Sequence, residues 1–219
     1  MTSPISLCLA EVLTSRLCHD LIAPIGAINT GLELFSETPS GHLTESKEIL
    51  NLILHSSQTA SARVSFFRAA FGKSGDTLTL GDARDLLENY LIRSKLTTHW
   101  QAPFQSDLTL KGWGRLLLNA TLWMSECAPR GGDLHISFSS ENPFLLSLLL
   151  KAEPILLHQG TLEILKGEAS LQDLTPRTAP CYLLHLLAEE KKGRLTVHQK
   201  VPSELVVEIK EANTSRQSF

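Results

Sequence analysis

Apolar side chains recur at steps of three and four through the first third of the chain, the spacing that places them along one face of an α-helix. One seam predicts a helix from about Ile5 to Phe35: Leu13, Leu17, Leu21, Pro24, Ile28, Leu32 and Phe35. A second seam predicts a helix from about Thr44 to Phe71: Ile49, Leu52, Ile53, Ala60, Val64, Phe67 and Phe71. The segment from Ser36 to His42 is rich in turn-forming residues, so the region predicts a helical hairpin.

The ends of the second helix carry their own signals. Thr44 suits an N-cap and Gly72 suits a C′ position. Two helices of this length cannot bury both seams against each other alone. A symmetric dimer that forms a four-helix bundle would bury them.

The pattern changes after the segment Gly72 to Gly75, where we place a domain boundary. Helices are predicted over 82–94, 113–127, 161–165 and 180–190, and strands over 96–100, 134–139, 144–150, 195–198 and 204–209. Helices with mostly antiparallel strands in this order predict an α+β sandwich. The chain therefore divides into a hairpin domain (1–75), an α/β domain (76–212) and a tail (213–219).

Composition narrows the function classes. The 219 residues carry a net charge of −3 and no basic tract, which argues against nucleic-acid binding. Four widely spaced cysteines argue against a zinc site or a disulfide framework and fit a reducing cytosol. The beginning of the chain lacks signal-peptide features, and the most apolar run, 143–150, is too short to span a bilayer. We expect a cytoplasmic protein.

His19 stands out by its position in the first predicted helix. It is two residues from Leu17 and two from Leu21, about 200° around the helix from each, and therefore on the opposite face. An exposed imidazole is largely neutral at pH 7, and its unprotonated nitrogen is nucleophilic. The pattern predicts a solvent-facing nucleophile on a rigid helix.

Four stretches resemble the ChpT-type histidine phosphotransferases. His19 to Pro24 (HDLIAP) resembles the phospho-accepting H-box of histidine kinases, and the longer run Ser15–Leu34 is similar to the phosphotransferase group. The other stretches are FRAAFG (67–72), LLLN (116–119) through PRGG (129–132), and LTPRTAP (174–180) with its helix and GRLT (193–196). Together they span almost the whole chain, which makes the resemblance specific.

The resemblance implies a homodimer with a four-helix bundle like that of histidine kinases. The second domain would be similar to the kinase ATPase (Bergerat-type) domain without its nucleotide site. His19 would take a phosphoryl group from the receiver domain of a CckA-type hybrid kinase. It would pass the group to CtrA- and CpdR-type response-regulator receivers. Mg²⁺ would come from the receiver partner, and the chain would have no cofactor of its own.

The sequence itself supports the expected loss of the nucleotide site. Kinase ATPase domains hold phosphates with a glycine-rich Asp-x-Gly-x-Gly box, and none follows Asn119. The corresponding place after Leu150 reads KAEPILL. Asn119 matches the kinase asparagine that helps to hold metal, but the glycine-rich box that accompanies it in kinases is missing. A polar residue on a helix face is the simpler interpretation.

The residues around His19 give a candidate site. Asp20 could hold the Nδ1 proton of His19 and leave Nε2 free. Arg16, on the same face, could donate to the phosphoryl group, or it could form a helix-stabilising i,i+4 pair with Asp20. Pro24 lacks an N–H and so leaves the carbonyl of Asp20 without its helical donor.

A mostly small stripe follows His19 along the helix and would let a receiver helix approach closely: Ile22, Ala23, Gly26, Ala27 and Thr30. The same stripe could instead be a tight contact within the bundle. Arg68 either faces His19 across the hairpin or faces water. Two other functions remain open: an active histidine kinase with a divergent ATP site, and a dimeric docking protein in which His19 has no role.

Overall fold

The computed structural model describes residues 4–39, 42–92, 94–101, 104–139 and 144–212. Helix α1 spans Pro4–Glu37 and helix α2 spans Leu43–Phe71, and the two pack against each other as a hairpin. The predicted hairpin is confirmed. The prediction of Thr44 as N-cap is wrong, because His42 takes that position without a side-chain cap. Gly72 is the C-cap, in an extended conformation.

The remainder of the chain forms an α+β domain, as predicted. Its elements are α3 (Leu80–Leu91), β1 (Leu96–Trp100), α4 (Trp113–Cys127), β2 (Gly132–Ser139), β3 (Leu145–Lys151), α5 (Thr161–Lys166), α6 (Ala179–Glu190), β4 (Gly193–Val201) and β5 (Glu204–Glu211). The sheet order is β1-β2-β3-β5-β4, with β1 and β2 parallel and the other neighbours antiparallel. Short 3₁₀ segments lie at Lys73–Thr77 and Leu171–Asp173. The predicted tail, 213–219, lies outside the described residues.

Helix α4 lies at the centre of this domain. Its side chains are buried on nearly every face because it contacts α6, β3, α3 and the end of α2. The sheet presents alternate residues to the same core, among them Leu134, Ile136, Leu148 and Val207. Burial of this much apolar surface is the main force that holds the helix in place.

The hairpin and the second domain share a core at the end of α2. Phe66 is fully buried and stacks on Tyr90 of α3, with ring centroids 4.1 Å apart. Asn119 of α4 is also fully buried, and its Nδ2 donates to the carbonyls of Ala70 at 2.8 Å and Arg115 at 2.9 Å. These contacts fix the hairpin, which carries His19, relative to α4.

The hairpin leaves many large apolar side chains exposed. They are Leu7, Ile22, Ile25, Leu32, Leu34, Phe35, Leu43, Leu50, Leu52, Leu54 and Val64. Four of them belong to the two predicted seams, including Leu32 at 53% exposed and Leu52 at 43% exposed. The expectation that the two helices do not bury both seams by themselves is confirmed.

Two glycines of α1 provide a matched pair for testing how the hairpin packs. A Cβ at Gly31 would lie 2.6 Å from Cγ1 of Ile53, whereas a Cβ at Gly26 would meet nothing within 4 Å. We expect Gly31→Ala to destabilise the protein by about 1–3 kcal/mol through overpacking. Gly26→Ala should stabilise it by roughly 0.5–1 kcal/mol, because alanine favours an exposed helix interior. Urea unfolding measures both changes, and similar effects at the two positions would contradict this packing.

Candidate functional site

The His19 side chain is 82% exposed on α1, as the helical spacing predicted. Its Nδ1 lies 3.1 Å from Oδ1 of Asp20. A neutral imidazole that donates its Nδ1 proton to a carboxylate carries its lone pair on Nε2. The geometry therefore presents Nε2 as a nucleophile to a partner approaching from solvent.

The side chain of Asp20 is held more firmly than that of His19. Its side chain is only 14% exposed. While Oδ1 faces His19, Oδ2 accepts a hydrogen bond from Nε of Arg16 at 2.9 Å. Each carboxylate oxygen thus has a different partner, and rotation of the group would break both interactions.

Arg16 does not take the position expected for a direct phosphoryl contact. The residue is only 9% exposed, and its Nη2 forms an ion pair with Oε1 of Glu126 at the end of α4. Burial alone would lower the pKa of Arg16, but the charges of Glu126 and Asp20 raise it above its usual range, so the guanidinium stays charged. The predicted i,i+4 pair with Asp20 is confirmed, and the guanidinium faces the domain junction.

Two further residues complete the surroundings of this ion pair. Burial raises the pKa of Glu126, and the adjacent charge of Arg16 opposes that rise. Burial, together with the charge of Asp20, raises the pKa of Tyr90 to about 12, which keeps its phenol neutral at physiological pH. Arg16 therefore lies between two carboxylates, those of Glu126 and Asp20, at the junction of α1, α3 and α4.

Arg63 of α2 is a site residue that the sequence reasoning did not select. Pro24 lies inside α1 and has no N–H to donate to the carbonyl of Asp20. Nη1 of Arg63 donates to that carbonyl. The proline was the available signal, since a freed buried carbonyl needs a donor from a neighbouring element. Arg63 ties the backbone beside His19 to the second helix.

The stripe beyond His19 is mostly open. Ile22 is 72% exposed, Ala23, Gly26 and Thr30 are exposed, and Ala27 is half-buried. Within the hairpin, the close approach to α2 occurs at Gly31 and not at Gly26. Arg68 is exposed near the end of α2, in line with the interpretation that it faces water.

Several N–H groups in the region that corresponds to the kinase nucleotide site donate hydrogen bonds within the protein. The amide of Asn119 donates to two carbonyls, as described above. After β3, the N–H of Ala152 donates to the carbonyl of Ser203 at 3.1 Å, and that of Leu156 donates to the carbonyl of Cys127 at 2.8 Å. Backbone N–H groups that cradle a phosphate must be free to point at it, and these two are not.

Two features are absent from the described part of the chain. No helix there has the length and apolar character needed to cross a membrane. No group of three or more His, Cys, Asp or Glu side chains is arranged there to hold a metal ion.

The helical hairpin, the α+β domain and the exposed histidine fit the class of phosphotransferases that act through a histidine. A family model described as "Histidine phosphotransferase C-terminal domain" matches residues 80–202. The chain is 32% identical over 205 residues to "Protein phosphotransferase ChpT" of Brucella abortus (strain 2308), an alignment that covers 90% of this chain and 95% of that protein. The chain belongs to the ChpT-type histidine phosphotransferase family.

A solved structure supports the same assignment. The structure of a bacterial phosphotransferase superposes with a TM-score of 0.79 at 31% identity and covers 95% of this chain and 98% of that chain. A histidine kinase domain from Erythrobacter litoralis has a weaker similarity, with a TM-score of 0.47 and 14% identity over 86% of this chain and 93% of that chain, and the assignment does not rest on it.

Proposed function

We propose that this phosphotransferase relays a phosphoryl group between receiver domains through His19. The observation that carries the proposal is the pairing of an 82% exposed imidazole with a carboxylate on Nδ1. That arrangement keeps the nucleophilic Nε2 accessible to a protein partner.

The chemistry is a pair of displacements at phosphorus. The lone pair of Nε2 attacks the phosphorus of a receiver phosphoaspartate, the P–O bond breaks, and the aspartate leaves as a carboxylate. In the second step an aspartate of another receiver attacks, and the P–N bond breaks. Because the transition state of phosphoryl transfer is loose, catalysis consists mainly of in-line positioning and charge stabilisation. We expect the receiver to supply the Mg²⁺ that neutralises the phosphoryl charge.

The stripe beyond His19 is the proposed docking face for a receiver. Its exposed members follow His19 at helical spacing, and Ile22 supplies an apolar contact at the end nearest His19. Arg68 is a proposed contact at the edge, where a rim charge would mainly change the association rate. We propose that the exposed surface of the second domain helps to select among receivers.

The proposed partners follow from the family. We propose a CckA-type hybrid kinase receiver as donor and CtrA- and CpdR-type regulators as acceptors, with the protein acting in the cytoplasm. The support for this assignment is the 32% identity to ChpT over nearly the full chain.

We also propose a homodimer in which two hairpins form a four-helix bundle. The support is the uncovered seam of the single hairpin, which includes Leu32 and Leu52. A Leu32→Glu, Leu52→Glu variant is expected to run as a monomer in size-exclusion chromatography with light scattering, because burying two carboxylates in a bundle core is unfavourable. Ile92→Glu, at an apolar residue of the second domain that is even more exposed (76%), should stay dimeric. A wild-type monomer, or a double variant that remains dimeric, would contradict the bundle.

One experiment separates the three candidate functions. The chain is incubated either with a purified receiver domain that carries labelled phosphate or with labelled Mg²⁺-ATP alone. The relay predicts uptake from the receiver and none from ATP. Uptake from ATP alone would identify an active kinase. Binding of the receiver without any uptake would identify a docking protein.

A further inference from the structure

Four side chains form a continuous line of polar contacts from the second domain to the exposed histidine: Glu126, Arg16, Asp20 and His19. Glu126 pairs with Nη2 of Arg16, Nε of Arg16 lies 2.9 Å from Oδ2 of Asp20, and Oδ1 of Asp20 lies 3.1 Å from Nδ1 of His19. Only His19 is exposed to solvent, since the other three side chains are 17%, 10% and 14% exposed.

The guanidinium of Arg16 transmits position along this line. It is planar and presents its donors in a rigid fork, so a contact at Nη2 fixes the direction in which Nε points. Glu126 occupies Nη2, which leaves Nε directed at Oδ2 of Asp20. Asp20 then has Oδ1 available for the imidazole, and Arg63 holds the backbone carbonyl of the same residue.

Glu126 itself is anchored in the second domain. It lies in the last turn of α4, next to the fully buried Cys127. Because α4 is packed on nearly every side, the backbone that carries the Glu126 side chain is fixed in position. In this fold, the position of α4 therefore sets where the guanidinium of α1 can lie.

We propose that Glu126 is a positioning residue for phosphotransfer, which acts through Arg16 to hold Asp20 in the orientation that retains the Nδ1 proton of His19. The inference rests on the proposed relay and adds that the second domain orients the nucleophile as well as offering a docking surface. Around metal-bound histidines, replacing residues that orient the ring through a direct partner typically costs about 10–100-fold in activity or metal affinity, and we expect a comparable dependence here.

The test is Glu126→Gln in the full-length chain, with Glu88→Gln as the matched control. Glu88 carries the same charge and also pairs with an arginine, Arg84, at 2.7 Å, but on the exposed face of α3. ¹⁵N shifts of the His19 ring report the tautomer, and a phosphorylated receiver reports the transfer rate. We expect Glu126→Gln to move the ring toward the Nε2–H tautomer and to slow transfer on the order of tenfold, with receiver affinity unchanged. Glu88→Gln should match the wild type in all three measurements.

Arg16→Lys provides a second, independent test, because a single ammonium keeps the charge but cannot make the two-sided fork. We expect it to show the same shift in tautomer and the same slower transfer, and it decides the question if Glu126→Gln does not fold. Wild-type ring shifts and rates in the folded variants would overturn the inference while leaving the relay intact. If the wild-type chain takes no phosphoryl group from any receiver, the proposed function itself fails.

Discussion

His19→Ala is expected to abolish phosphoryl uptake from a phosphorylated receiver, a loss of more than about 10³-fold, because no other group replaces a removed covalent nucleophile. The fold should not change, because the side chain is 82% exposed and its polar contact is with the neighbouring carboxylate. The free energy of unfolding should therefore stay within about 0.5 kcal/mol of the wild type. Labelled-phosphate transfer and urea unfolding on the same preparation measure both quantities.

The control for this variant is His55→Ala. His55 is an exposed histidine on α2 of the same hairpin, so its removal tests whether any surface imidazole can accept the group. It should transfer like the wild type. Residual uptake by His19→Ala, or a loss of uptake in His55→Ala, would show that the accepting residue has been misassigned.

Asp20→Asn is expected to lower the transfer rate by up to about 10⁴-fold, the loss seen when a catalytic histidine is held in the wrong tautomer. The substituted side chain can present an NH₂ group to Nδ1 of His19, which favours the proton on Nε2 and removes the lone pair from the attacking nitrogen. It also removes one of the two charges that neutralise Arg16. Some loss of stability is therefore expected alongside the kinetic effect.

Kinetics and binding separate these two consequences. Receiver affinity should be close to the wild type, because the docking stripe lies beyond Asp20 along α1, and single-turnover transfer should be slow. A variant that transfers at the wild-type rate, or one whose only defect is weak receiver binding, would show that Asp20 does not set the tautomer of His19.

The regular parts of the fold were predictable because local pattern and tertiary packing agree. The bounds of β1 and α4 coincide with those predicted, since each has a strong periodic signal and clear flanking turns. Helix α3 begins earlier than predicted, at Leu80, because Thr79 and Asp82 form a reciprocal capping box. That signal was present in the sequence and was overlooked.

The site was only partly predictable for a physical reason. Exposure of His19 and its contact with Asp20 depend on neighbouring positions of one helix, which sequence spacing describes. The environment of Arg16 depends on Glu126, which is brought to it by the packing of α4 against the hairpin. No local pattern encodes that approach. The sequence therefore left open whether Arg16 donates to the phosphoryl group or pairs with Asp20, and the fold shows the pair with Asp20 and the burial of the residue.

The central claim is that Nε2 of His19 carries the phosphoryl group. The most direct test is to phosphorylate the chain from a labelled receiver domain, locate the modified residue by mass spectrometry, and assign the bonded nitrogen by ³¹P and ¹⁵N NMR. We expect a single phosphoramidate, on Nε2 of His19. A phosphoryl group on Nδ1, on another residue, or acquired only from ATP would contradict it.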